Sequence, residues 1–232
     1  MDKSAPHSPW AIILGSKCKG LRNEGNKFEL DKSALKRFNN DVQTFFDCCP
    51  SDSVVDFSIP ELQLDGVIEI SKPVTVEGGG ASIGCYISSR NEGAVVIRSD
   101  NVTLRGLSFE GCNLNSTAAL ITIENSKNVT VKDLHFSKNR NAAGAPCMSL
   151  LQSNVMAKNL TAVKNIGIFG GVMSIVNSSL MKIQGSAFHQ NEAMEQGGAL
   201  YLHDSDLDAI DVWFIENSAL VDGGAIFAEV RF

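Results

Sequence analysis

"FHQNEAMEQGGALY" occupies residues 188–201 and "FIENSALVDGGAIF" occupies 214–227, the same skeleton written twice 26 residues apart. Each copy sets Phe, Asn three residues on, Ala two further, then Gly-Gly-Ala and an apolar residue. Self-similarity at a fixed period is the signature of a repeat architecture and outranks local propensity in fixing the fold.

Working upstream, the Phe column continues through Phe109, Phe136, Ala162, Phe188 and Phe214 at spacings of 27, 26, 26 and 26. Asn follows three residues later at Asn139, Asn165, Asn191 and Asn217, while Cys112 holds that slot in the first copy. Apolar columns precede it: Val102, Val129, Val155, Met181, Leu207; Leu104, Val131, Ala157, Ile183, Ala209; and Leu107, Leu134, Leu160, Ser186, Val212. Within "NVTVKDLHF" the pairs Val129/Val131 and Leu134/Phe136 each have strand periodicity, with a bend between them. A further patch repeats as "LITIENS", "CMSLLQS", "VMSIVNS" and "ALYLHDS", each closed by a Ser at 126, 153, 178 and 205.

Each unit thus holds about three short strands and too little apolar surface to form a core alone, so units must stack. Three strands per turn, stacked at about 4.8 Å, make a parallel β-helix. Leucine-rich and helical repeats lack the needed consensus or period here. In this reading Phe fills the core, Asn forms a ladder at a buried turn, and Gly-Gly supplies a turn conformation closed to other residues. Residues 31–50 place Leu35, Phe38, Val42 and Phe45 at helical spacing behind a capping candidate at Asp31 or Ser33. One helix is expected there, lying over the open solenoid end. The expected organisation is a poorly ordered segment 1–30, a capping helix in 31–50 and a solenoid over 51–232. The sequence stops inside a repeat at "GGAIFAEVRF", so a fragment of a longer solenoid is expected, with self-association through its last coil.

The chain has 232 residues, 44% hydrophobic, and a formal charge of −6, which argues against a broad phosphate-binding surface and hence against nucleic acid. Trp10 to Leu14 is too short for a signal peptide, and no apolar run approaches a membrane span. Cysteines at 18, 48, 49, 85, 112 and 147 form no C-x-x-C pair and no zinc spacing; buried or free thiols are expected in preference to disulfides.

The paired signature F-x-x-N with G-G-A-[ILV], at 188–191 with 197–200 and at 214–217 with 223–226, resembles the repeats of chlamydial polymorphic outer membrane proteins. Residues 162–173 carry a degraded copy, and "FSKN" at 136–139 lacks the Gly-Gly partner. The N-terminal layout, a helix and then "GVIEISKPVTVEGGG", looks like the start of pectin-lyase-like domains. The resemblance implies an all-β, right-handed parallel β-helix displayed at a cell surface or outside the cell and used in adhesion. Neither a signal peptide nor the membrane barrel of that bacterial family is visible in this sequence. Sequons at Asn101, Asn115, Asn128, Asn159 and Asn177 fit a secretory eukaryotic source, but Asn at turns and Thr in strands produce the same pattern from fold alone.

Arg105, Lys132 and Lys158 align as an outward column that could line a groove for an acidic polysaccharide; the plainer reading is a solvated face eased by neighbours such as Asp133. Asp204, Asp206, Asp208 and Asp211 offer oxygen ligands but belong to one loop and one strand, whereas catalysis needs groups converging from several coils. His135, His189 and His203 fall in different columns. No nucleophile elbow, phosphate loop or triad is present, so no catalytic residue, metal or cofactor is expected. The expectation is a non-catalytic surface or extracellular spacer or adhesive module, binding a host or cell-surface protein or polysaccharide. A polysaccharide-active lyase or hydrolase, or a carbohydrate-binding module, is the alternative.

Overall fold

Residues 18, 21, 23–38, 40–64, 66–85, 93–177 and 180–230 are described by the structure, a computed structural model. Its strands form a right-handed parallel β-helix. Among the described residues they assemble into sheets of 12, 7 and 5 strands, in which strands pair in parallel with their counterparts one coil away, apart from the antiparallel hairpin of Asn23–Glu24 with Lys27–Leu30. Val129 lies beside Val155, Val155 beside Met181 and Met181 beside Leu207, so the sequence columns are the ladders of the sheet. The bend inside each unit is a single residue in the left-handed region, at Gly106, Asp133, Asn159, Gly185 and Asp211. One such residue turns the chain without ending the ladder, so both strand segments of a unit share the largest sheet.

The core follows from the inward half of each alternation. Val129, Val131, Leu134 and Phe136 are all buried, as are Met148 and Leu150 from the second sheet. Phe109 stacks on Phe136 at 5.3 Å and Phe188 on Phe214 at 5.1 Å, and Ala162 separates the two pairs.

Turns between sheets leave buried backbone groups that no strand can satisfy. Here the Asn column does it. The Oδ1 of Asn165 accepts from the backbone N–H and the Nδ2 of Asn139, each at 3.0 Å, while the Nδ2 of Asn139 also donates to the Phe109 carbonyl. Asn191 serves Asn165, and Asn217 serves Asn191, in the same way. Asn139 also accepts from the backbone N–H of Cys112, which starts the ladder. A second buried ladder joins the Ser126 N–H to Ser153 Oγ at 3.1 Å. The two glycines of Gly170-Gly171 and of Gly197-Gly198 do different jobs. Gly197 sits at φ 71°, where other residues are strained, and a Cβ on Gly198 would lie 2.0 Å from the Gly224 carbonyl of the next coil.

The N-terminal end departs from the expected layout in three ways. Two short helices, Lys32–Arg37 and Val42–Cys48, replace the single one. Asn40 turns the chain at φ 64°, and Asp41 opens the second helix by accepting from the Thr44 N–H at 3.0 Å, as Asp31 opens the first. Phe38, Val42 and Phe45 are nevertheless all buried against the first coils. Second, strand Lys27–Leu30 pairs in parallel with Ser53–Phe57, so ordered sheet begins before residue 31. Third, the thiol expectation is corrected. Cys18 and Cys48 are joined in a disulfide, their Cα atoms 5.3 Å apart because the end of the second helix meets the N-terminal segment. Cys112 is disulfide-bonded as well. Cys49 and Cys147 are free and buried, and burial pushes the Cys49 thiol up to about 12. Residues 1–17 of the segment expected to be poorly ordered lie outside the described residues.

Replacing Asn191 by Leu removes the acceptor for two donors of Asn165 and the donor to the Ala162 carbonyl. Urea unfolding is expected to show a loss of about 1 to 3 kcal/mol, the cost of leaving buried polar groups unpaired. An unchanged midpoint would contradict the ladder. Gly198→Ala should likewise cost about 1 to 3 kcal/mol through the backbone clash. Gly66→Ala, with open space around it, should stay within about 0.5 kcal/mol in the same measurement.

Candidate functional site

The charged face of the largest sheet arises directly from strand alternation. In Val129–Lys132 the valines point inward, so Thr130 and Lys132 point out. Arg105, Lys132 and Lys158 are neighbours in register on three successive coils. Arg105 and Lys132 are exposed and Lys158 half-buried.

The column extends further than its basic part. Register pairs Arg105 with Glu77, Glu77 with Asp56 and Asp56 with Glu29. Toward the C-terminus it passes from Lys158 to Gln184 and Ile210. Three acids from three coils are therefore followed by three bases from the next three. Lys27 reaches Asp56 at 2.9 Å and Glu77 at 3.8 Å, and the hydrogen bond it donates to Asp56 holds its ammonium above the usual lysine range. Arg105 is ion-paired to Glu77, and Lys132 reaches Asp133 at 3.6 Å. Among the described residues neither Glu29 nor Lys158 has an ion pair.

Other charged groups bridge coils with alternating sign. Arg98 lies between Glu124 at 2.8 Å and Glu69 at 2.9 Å, and these two hydrogen bonds raise its pKa. Lys138 meets Glu110 at 3.0 Å and holds that carboxyl below its usual range. Gln190, and then His189, do the same for Glu216.

The remaining sequence candidates are kept apart by the fold. Asp208 faces Lys182 at 3.8 Å, Asp204 lies 3.3 Å from His203, and Asp211 occupies the left-handed bend. Among the described residues no three His, Cys, Asp or Glu side chains are grouped to hold a metal ion. His135 sits in register with Thr161, His189 with Val163, and His203 with Val176 on another sheet. Asn101, Asn128, Asn159 and Asn177 are exposed and left-handed, conformations that Asn tolerates at turns, whereas Asn115 is exposed without positive φ. Asn128 Nδ2 donates to Asn101 Oδ1, and Asn159 Nδ2 to Asp133.

The acidic half of the column escaped sequence reading. Glu29, Asp56 and Glu77 stand 27 and 21 residues apart, and Glu77 lies 28 before Arg105, so no constant period aligns them. Only the strand register brings them into line.

No helix among the described residues is long and apolar enough to cross a membrane. No curated protein and no solved structure matches the chain. A family model described as a right-handed β-helix region matches residues 72–227, the stretch that carries the regular coils described above. With its ladders and its sheets in agreement over that stretch, the chain belongs to the right-handed β-helix family.

Proposed function

We propose that this chain is a non-catalytic β-helical module that acts at a surface or outside the cell as a spacer or adhesive face. The observation that carries the reading is how its ionisable side chains are used. Arg98, Glu69 and Glu124 tie three coils together, Lys138 and Glu110 tie two, and Glu216 is held by Gln190 and His189. Lys138 holds the Glu110 carboxyl below its usual range, as Gln190 and then His189 hold that of Glu216, and a general acid needs the opposite environment. The Cys18–Cys48 disulfide supports an oxidising compartment. The F-x-x-N and G-G-A-[ILV] signatures, similar to polymorphic outer membrane protein repeats, support surface display.

The second reading, a polysaccharide-active or carbohydrate-binding protein, is favoured by one observation, the run of Arg105, Lys132 and Lys158 on one face. Ionic contact to a uronate chain requires only such cations, but turnover also requires a positioned base or a metal to move a proton.

The two readings separate on incubation with polygalacturonate or alginate, with and without calcium. Neither unsaturated ends nor reducing sugars are expected to accumulate. Cleavage that disappears in Lys132→Ala or Arg105→Ala would overturn the non-catalytic reading.

A further inference from the structure

Coil-to-coil ion pairs elsewhere in this molecule alternate in sign, as in Glu69, Arg98 and Glu124, or Lys182 and Asp208. The outward column of the largest sheet does not. Glu29, Asp56 and Glu77 follow one another, then Arg105, Lys132 and Lys158. Stacking like charges on neighbouring strands is destabilising. Lys27 relieves Asp56 and Glu77, and Arg105 meets Glu77, yet the outer members Glu29 and Lys158 have no ion pair among the described residues. The adjacent outward column starts at Lys27, is uncharged from Val54 through Thr75, Thr103 and Thr130 to Met156, and becomes charged again at Lys182 and Asp208.

We propose that this face pairs with the same face of a second copy, the two columns running antiparallel. A two-fold axis between the faces, perpendicular to the solenoid axis and level with the step from Glu77 to Arg105, sets Glu29 against Lys158, Asp56 against Lys132 and Glu77 against Arg105. Symmetry repeats each contact in reverse, so the interface is isologous and closes at a dimer. Both columns are ladders of the same interstrand spacing, about 4.8 Å, so opposite charges stay matched over six coils. In the middle of the neighbouring column Val54, Thr75, Thr103 and Thr130 are short and let the faces approach, while the two-fold axis sets Lys27 opposite Met156 at its ends. An acidic polysaccharide would satisfy only the basic half and would meet Glu29, Asp56 and Glu77 with like charge. A second copy satisfies both halves.

Self-pairing gives the adhesive reading a partner and rests on that reading only for its role. Pairing is measured without reference to turnover, so the failure of one is distinguishable from the failure of the other. The test is sedimentation velocity of the full chain in low salt and in about 0.5 M salt, where the screening length falls to a few ångströms. A dimer is expected in low salt and a monomer in high salt. Glu29→Lys and Lys158→Glu should each weaken the dimer about tenfold or more by opposing like charges. An equimolar mixture of the two variants should restore it, because the new positive charge at position 29 of one chain then faces the new negative charge at position 158 of the other. Lys158→Gln, which adds no new charge, should fall between, and circular dichroism checks that each variant keeps its sheet. A monomer in low salt would overturn the proposal. So would a dimer that the charge changes leave intact, or polygalacturonate bound to a chain that stays monomeric.

Discussion

Stacking one coil on the next at hydrogen-bonding distance is the constraint on which the rest of this structure depends. Strand backbones satisfy it by pairing in register, but each coil must also turn between sheets, where pairing lapses and buried N–H and C=O groups need other partners. Asn is suited to this position because its carbonyl accepts from the preceding coil while its amide donates to that coil's backbone. The pairs Gly170-Gly171 and Gly197-Gly198 meet the same constraint differently, the first glycine by adopting a left-handed turn and the second by leaving room for a carbonyl of the next coil. The N-terminal end differs. There, two helices and a disulfide cover the first coils with Phe38, Phe45 and Phe46.

Because stacked coils repeat position by position, the fold was legible wherever the period held. Val129, Val155, Met181 and Leu207 form one sheet ladder at the spacing the sequence displays. Legibility failed where the cause was not periodic. The spacing of Leu35, Phe38, Val42 and Phe45 is the same for one helix or for two that share a buried face, and only the local chemistry of Asn40 and Asp41 decides the break. Lys27–Leu30 was missed because four residues of alternation ahead of the repeat carry little signal. The Cys18–Cys48 bond depends on where a helix end lies in space, which spacing does not encode. At the candidate site the basic half of the charged column lay in the regular coils and was readable, while Glu29, Asp56 and Glu77 lay in irregular ones.

The same repetition bears on function. A ladder sets like positions side by side along an axis, whereas catalysis needs unlike groups converging on one point. What a ladder does well is present a long surface of fixed spacing, and the column from Glu29 to Lys158 is such a surface, divided by charge. A spacer or adhesive face uses that geometry directly.

Amide hydrogen exchange resolved at the Asn column tests the central claim most directly. The N–H groups of Asn139, Asn165 and Asn191 each donate to the side chain of the following coil, whereas that of Asn217 has no acceptor among the described residues. The first three should exchange only through global unfolding, and Asn217 should exchange quickly. Exchange at Asn165 as fast as at Asn217 would contradict the account, because the turns would then not be held by the ladder.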